Sequence, residues 1–343
     1  MSQPYLKSAA LSLLARPLIL RAGQRGAGTL ILMFHGFRDG PNQGIENYDG
    51  KHLLGASFDA LLSKLGKIVE FISLNEFVEH LEQDLHISKP SAILTFDDGY
   101  ESNYRVAYPI LQHHKAPATI FLTTEFVTEG KQLWTNRLEF AFKNTKQNEL
   151  KFAEQRFPLQ SNPERITSLS AIKKIFKSLA QEDQEQRTAE IEASLDCRMD
   201  EDGQSTPAIY RPLSASQVSE IAKSDLVDFG AHTHSHRILG RSNEATIREE
   251  IQTSQSKIAS LTEQPCDLFC YPNGQPGDFN DLTGNILQEA GFRCALTTVA
   301  GRNKIGCDPF TLHRLGVSDR ESINWTLLEL SGILPKLRTL RGR

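Results

Sequence analysis

The chain has no apolar run approaching the roughly 18 residues that cross a membrane. Its early apolar stretch, residues 8–15, ends in Arg16-Pro17 rather than at a small-residue cleavage site, so a cytoplasmic protein is expected. Cysteine is scarce and odd in number. Cys197, Cys266, Cys270, Cys294 and Cys307 lack zinc-knuckle spacing, which excludes a disulfide framework and points to reduced, mostly buried thiols. A basic excess is also missing, since 38 Lys and Arg stand against 42 Asp and Glu for a net charge of -4, and this argues against a nucleic-acid partner. No Gly-rich phosphate loop and no internal repeat is present.

What is present is the composition of an ordinary globular protein, with 39% hydrophobic and 23% charged residues over 343 positions. A chain of this length buries about three quarters of its unfolded surface, so it needs no structural metal to fold, and any metal would serve chemistry. Charge is unevenly spread. Lys7, Arg16, Arg21 and Arg25 occupy residues 1–25 without an acid, and Lys336, Arg338, Arg341 and Arg343 do the same over 330–343. In the first segment Leu6, Ala10, Leu13 and Leu14 recur at helical spacing beside Lys7. That pattern fits either a helix on an anionic membrane surface or one that covers the core.

Strand-like and helix-like segments alternate along most of the chain. Strands are predicted at 29–34, 71–73, 92–96, 118–123, 226–231, 268–271, 294–298 and 310–317, and helices at 57–70, 75–82, 101–114, 133–143, 244–261, 279–290 and 324–334. Ser214 with Gln217 forms a capping box for a further helix to residue 224. Residues 145–205, rich in Glu, Gln, Lys and Arg, interrupt this rhythm and read as an inserted helical subdomain. Repeated β-α units imply a parallel sheet with helices outside, either a barrel or a doubly wound sheet.

Parallel strands deliver their following loops to one carboxyl-terminal face, and three predicted strands end in unusual residues. The first runs through Thr95-Phe96 into Asp97-Asp98-Gly99, two adjacent carboxylates that repel unless a cation or a shared proton offsets them, or that cap the next helix. The second ends in His232-Thr233-His234-Ser235-His236. Extended, this stretch would align all three histidines on one side; helical, it would put His232 and His236 on one face as an i,i+4 chelating pair, to which a neighbouring carboxylate adds a third ligand. A solvated His-rich loop is the bland alternative. The third, Phe269-Cys270-Tyr271-Pro272-Asn273-Gly274, is a strand and turn whose amides could face an oxyanion.

Taken in order, these strings resemble the NodB-homology polysaccharide deacetylases of carbohydrate esterase family 4. The family's first motif stands as residues 95–99, its H-[ST]-x-x-H motif as 232–236 and its third motif as 269–274. The resemblance runs from the Met33-Phe34-His35 strand end to Leu312-His313-Arg314, leaving out the termini and the 145–205 insertion. It implies an α/β fold, a distorted (β/α) barrel of about seven strands over 29–343, preceded by a basic amphipathic segment, 1–28.

It also implies roles: Asp97 as catalytic base; Asp98, His232 and His236 as ligands of a divalent metal, usually zinc; His234 as the variable middle residue; and the Tyr271 amide as an oxyanion donor. His313 is the candidate general acid, although Thr311-Leu312-His313-Arg314 departs from the family's L-x-H spacing, and His35 is a competing site residue. Residues 268–275 lack the arginine that in many members pairs with the base, which leaves Arg314 or another residue to do so, or Asp97 to be positioned differently. The implied activity is metal-dependent hydrolysis of an N-acetyl or related N-acyl group on an amino sugar. The basic termini point to a glycan, glycolipid or lipid-linked substrate at the inner face of a membrane. Another amide hydrolase on the same scaffold, or a non-catalytic glycan-binding protein, remains open.

Overall fold

A computed structural model describes residues 28–199, 206–320 and 322–331. The basic segments at residues 1–25 and 332–343 lie outside the described residues. Seven strands are paired throughout in parallel: β1 (Leu30–Phe34), β2 (Ser91–Phe96), β3 (Ala118–Leu122), β4 (Val227–Ala231), β5 (Leu268–Cys270), β6 (Cys294–Leu296) and β7 (Leu315–Gly316). Their spatial order is β6-β5-β4-β3-β2-β1-β7, and a short strand, Glu70–Phe71, pairs with the start of β2. Leu312, just ahead of β7, bridges back to β6: its amide donates to the Ala295 carbonyl at 3.0 Å, and the Thr297 amide donates to its carbonyl at 2.8 Å. The sheet thus curls until its ends meet, as the expected distorted (β/α) barrel.

The strands read as unbroken apolar runs because both faces are covered. Ile31, Ile93, Phe121, Leu268, Leu296 and Leu312 share one interior cluster, while Leu30, Leu32, Phe34, Leu94 and Phe96 pack outward with the helices. Gly230 of β4 is required by this packing, since a Cβ there would lie 2.5 Å from the Phe121 ring and 2.8 Å from the Leu268 carbonyl oxygen. Around the sheet lie α1 (Gly55–Leu65), α2 (Leu74–Glu82), α3 (Tyr108–His114), α4 (Thr124–Glu129) and α5 (Trp134–Asn144). Beyond these come α6 (Asn162–Phe176), α7 (Gln181–Ser194), α8 (Ala215–Ile221), α9 (Glu244–Thr262), α10 (Asp281–Glu289) and α11 (Ile323–Leu330). The predicted Ser214–Gln217 capping box is present at the start of α8.

Three segments differ from the sequence expectation. The helix expected at 101–114 contains a π-turn stretch, Asn103–Ala107, before α3, because Pro109 has no N–H with which to continue the α ladder. The strand expected at 310–317 begins as a 3₁₀ turn, Pro309–Thr311, capped by Asp308; Leu312 bridges to β6, and only Leu315–Gly316 pairs with β1. The region 145–205 is not all helical. It opens with a hairpin, Glu149–Phe152 against Gln155–Pro158, with Leu150 and Phe157 buried on one face. The hairpin turns through Ala153 and Glu154 at φ 50° and 59° without the Gly or Asn that usually announces such a turn. Helices α6 and α7 follow, and their apolar residues Leu169, Ile172, Phe176 and Ile191 pack with Leu138 and Phe142 of α5. Buried Arg137 of α5 grips Glu192 of α7 through Nε at 3.0 Å and Nη2 at 2.5 Å.

Candidate active site

The carboxyl ends of the strands open into a cleft of about 410 Å³ whose floor holds Asp97, Asp98, His232, His236 and His35. Asp97 continues the inward-facing series of β2. Its amide donates to the Phe34 carbonyl at 3.0 Å. Arg314, fully buried, meets it with a two-pronged fork, Nη1 to Oδ1 and Nη2 to Oδ2, each at 2.7 Å, while Nε donates to the Thr297 carbonyl at 2.8 Å. The third motif's missing arginine is thereby replaced from the far end of the chain. Burial alone would raise the Asp97 carboxyl, but the Arg314 guanidinium and His232 bring it down to about 2.

Asp98 follows in the left-handed conformation, φ 74°, and Gly99 at φ 90° leaves no room for a Cβ, which would lie 2.8 Å from Leu122 Cδ2. This turn swings Asp98 toward the histidine loop. Its Oδ1 lies 3.3 Å from His236 Nε2 and 3.6 Å from His232 Nε2, and Oδ2 lies 3.8 Å from the Lys51 ammonium. Burial acts to raise this carboxyl, and the opposing pull of Lys51 and His236 holds it well below the usual range.

The 232–236 stretch is neither extended nor helical. Thr233 and His236 adopt φ 62° and 60°, and this bent path brings the His232 and His236 rings to 5.0 Å between centroids. His232 Nδ1 lies 2.7 Å from the Cys270 carbonyl, so Nδ1 carries the proton and Nε2 presents its lone pair toward Asp98. Burial lowers His232 to about 4, which keeps that lone pair free. His234 turns away to Thr124 Oγ1, 2.9 Å from its Nδ1. A residue that the sequence reading did not single out holds the loop: buried Glu250 of α9 accepts the His234 and Ser235 amides at 2.9 Å each. Its only sequence signal is an acidic residue on the buried stripe of an amphipathic helix.

Asp98, His232 and His236 form a group that could hold a metal ion. The donor set fits a divalent cation. Both Asp98 oxygens are buried without a hydrogen-bond partner, an arrangement that is costly unless a cation completes it. Two neutral imidazoles and one carboxylate are ligands that zinc and related ions accept.

Two expected site residues are placed elsewhere. The Tyr271 amide is spent on the Leu296 carbonyl at 3.0 Å as a sheet bond, so it is not open to an oxyanion; Asn273, two residues on with φ 58°, lines the cleft instead. His313 does not line the cleft. Strand alternation puts Leu312 and Arg314 inside the barrel and turns His313 outward against Gly301, where an added Cβ would lie 2.2 Å from His313 Nδ1. His35 does line the cleft, its ring pushed toward the neutral form by burial and by Lys51. The opposite wall comes from the insertion and its neighbour α5: Trp134, Lys173, Lys177 and Gln184.

Comparison with known proteins agrees with this geometry. The family model described as polysaccharide deacetylase matches residues 86–156 and 170–295. Among solved structures, the deacetylase PplD of Streptococcus pyogenes, determined in complex with acetate, is 19% identical with a TM-score of 0.58, covering 88% of this chain and 97% of that one. IcaB from Ammonifex degensii is 18% identical with a TM-score of 0.57, covering 90% of this chain and 97% of its own. At such identities the likeness is one of fold. A 42-residue stretch is 48% identical to YxkH of Bacillus subtilis (strain 168), spanning 12% of this chain and 15% of that protein. With the family model matching more than half of its length, the chain belongs to the polysaccharide deacetylase family.

Proposed function

We propose that the protein is a metal-dependent hydrolase that removes an N-acetyl group, or a close N-acyl relative, from an amino sugar. The observation that carries this reading is a pair of adjacent buried carboxylates in opposite settings, Asp97 clamped by Arg314 and Asp98 facing His232 and His236 without a hydrogen-bond partner. Asp98, His232 and His236 would hold a divalent cation, most suitably zinc. Such an ion supplies Lewis-acid polarisation of the amide carbonyl and of the attacking water.

The other steps belong to side chains of this chain. Asp97, held ionised at neutral pH, accepts the water proton at a carboxylate oxygen. Once protonated it is a strong acid for the same reason, and it returns the proton to the departing amine, so no role is assigned to His313. Asn273 takes the place of Tyr271 as the backbone donor to the developing oxyanion. His35 hydrogen-bonds the sugar, and Trp134 offers an apolar face to it. The membrane-face location suggested by the basic termini belongs to this proposal as well.

The test is metal content together with acetate release from N-acetylated amino sugars, for the parent, Asp97→Asn and His232→Ala. The expected outcome is near-stoichiometric metal in the parent and Asp97→Asn, its loss in His232→Ala, and no acetate release from either variant. Turnover that is indifferent to Asp97 would overturn the reading.

A further inference from the structure

The cleft holds more positive charge than its own acids can balance. Its lining carries Asp49, Asp97 and Asp98 against Lys51, Lys173 and Lys177, with Arg314 buried behind Asp97. Two of these acids are already taken. Asp97 is forked by Arg314, and Asp49 Oδ2 lies 3.5 Å from Lys173 Nζ, which also sits 3.9 Å from Glu139 and over the Tyr48 ring. The third, Asp98, is the only acid among the described residues within ion-pair reach of Lys51, at 3.8 Å. Resting on the metal reading above, a cation ligated by Asp98 takes up that charge and leaves the Lys51 ammonium unmatched. Lys177 is exposed on the opposite wall and has no acidic partner among the described residues. It follows Lys173 by four positions at the end of α6, and the acids on that side, Asp49 and Glu139, lie against Lys173 rather than against it.

We propose that the cleft is built for an anionic substrate, an amino sugar bearing a phosphoryl group that binds between Lys51 and Lys177. A phosphoryl group carries up to two charges, which matches Lys177 and the Lys51 ammonium that a cation on Asp98 would free, whereas a neutral glycan would leave both unmatched. Lys51 stands on the reaction side of the cleft and Lys177 at the insertion side, so the insertion acts as the specificity-determining wall. The same phosphoryl chemistry belongs to a free sugar phosphate and to a sugar carried on a lipid phosphate.

The test is calorimetric binding to the zinc-loaded full chain carrying Asp97→Asn, which keeps the metal on Asp98 but does not turn the probes over; a phosphoryl oxygen that ligates the metal instead would show as an advantage insensitive to Lys177. The probes are N-acetylglucosamine, N-acetylglucosamine 1-phosphate in solution, and the same sugar on a polyprenyl phosphate in neutral vesicles. At least one phosphorylated probe should bind about tenfold more tightly than the neutral sugar, with an advantage that shrinks as salt rises. Lys177→Gln, an exposed change that spares the fold, should remove most of that advantage and leave binding of the neutral sugar unaltered. Lys174→Gln, an exposed lysine of α6 outside the cleft lining, should change neither. Preference for one phosphorylated probe over the other identifies the source of the phosphoryl group. Equal binding of all three probes, or an advantage that survives Lys177→Gln, overturns the proposal. Acetate release from neutral amino sugars tests the deacetylase reading separately, so either idea can fail alone.

Discussion

Arg314 and Asp97 are a buried pair whose two members depend on each other. The guanidinium is 1% exposed and the carboxylate 2%, so removing one partner strands a charge in the barrel. Arg314→Met should lower stability by about 3–5 kcal/mol, read from the urea denaturation midpoint, and Asp97→Asn in the same chain should recover part of that loss. Arg314→Lys keeps the charge but loses the fork, and should still weaken both stability and turnover. His52 supplies a pH dependence of its own. It is buried against the Tyr100 ring, its Nδ1 has no partner, and burial with the neighbouring Lys51 ammonium lowers it to about 3. A folded value below the unfolded one means that the unfolded chain binds the proton more readily. The stability due to neutral His52 is therefore present above about pH 6.5 and is lost as pH falls toward 3. His52→Phe should flatten that part of the stability-against-pH curve; an unchanged slope would show that other groups set it.

At the scale of elements, the histidine loop is shaped by a helix that contributes no ligand. Glu250 on α9 gathers the His234 and Ser235 amides, and the left-handed turns at Thr233 and His236 are sustained by those bonds. Glu250→Gln preserves size but weakens both contacts, and its amide nitrogen cannot accept a hydrogen bond. Metal affinity measured by competition with a chromogenic chelator should fall by about 10–100-fold with little change in far-UV circular dichroism. The insertion is likewise part of the site rather than an appendage. Helices α6 and α7 cover the apolar face of α5, the Arg137–Glu192 pair locks α5 to α7, and the same helices turn Lys173, Lys177 and Gln184 into the cleft.

For the whole molecule, a barrel closed through Leu312 gathers the candidate ligands Asp98, His232 and His236 from strands far apart in sequence, and so the cost of crowding them is spread over the fold. The Asp98 oxygens have no hydrogen-bond partner and, among the described residues, only Lys51 and His236 as nearby positive or donor groups, so a bound cation would add stability to the native state. Zinc at a hundredfold excess over its Kd should therefore stabilise the native state by about 2.7 kcal/mol. A matching rise in Tm should be seen for the parent and be absent for His232→Ala. Equal shifts in both would place the bound zinc elsewhere.

Residues read alone carry much of this protein. Apolar runs buried on both faces are strands of a parallel sheet, the Ser214–Gln217 box starts a helix, and Asp97-Asp98 with His232 and His236 gather in one cleft as a candidate site, because each depends on local spacing or on chemistry that packing rarely demands. The hairpin at 149–158 escaped because its turn residues are chemically ordinary, and the Tyr271 amide and His313 were misplaced because strand register decides which groups face inward. The tertiary structure alone decided that Arg314, 217 positions away, is the partner of Asp97, that Glu250 holds the histidine loop, and that Lys51 and Lys177 share one cleft. The physical reason is that spacing along the chain encodes periodicity within an element, while charge pairing across a barrel depends on closure, which no local pattern records.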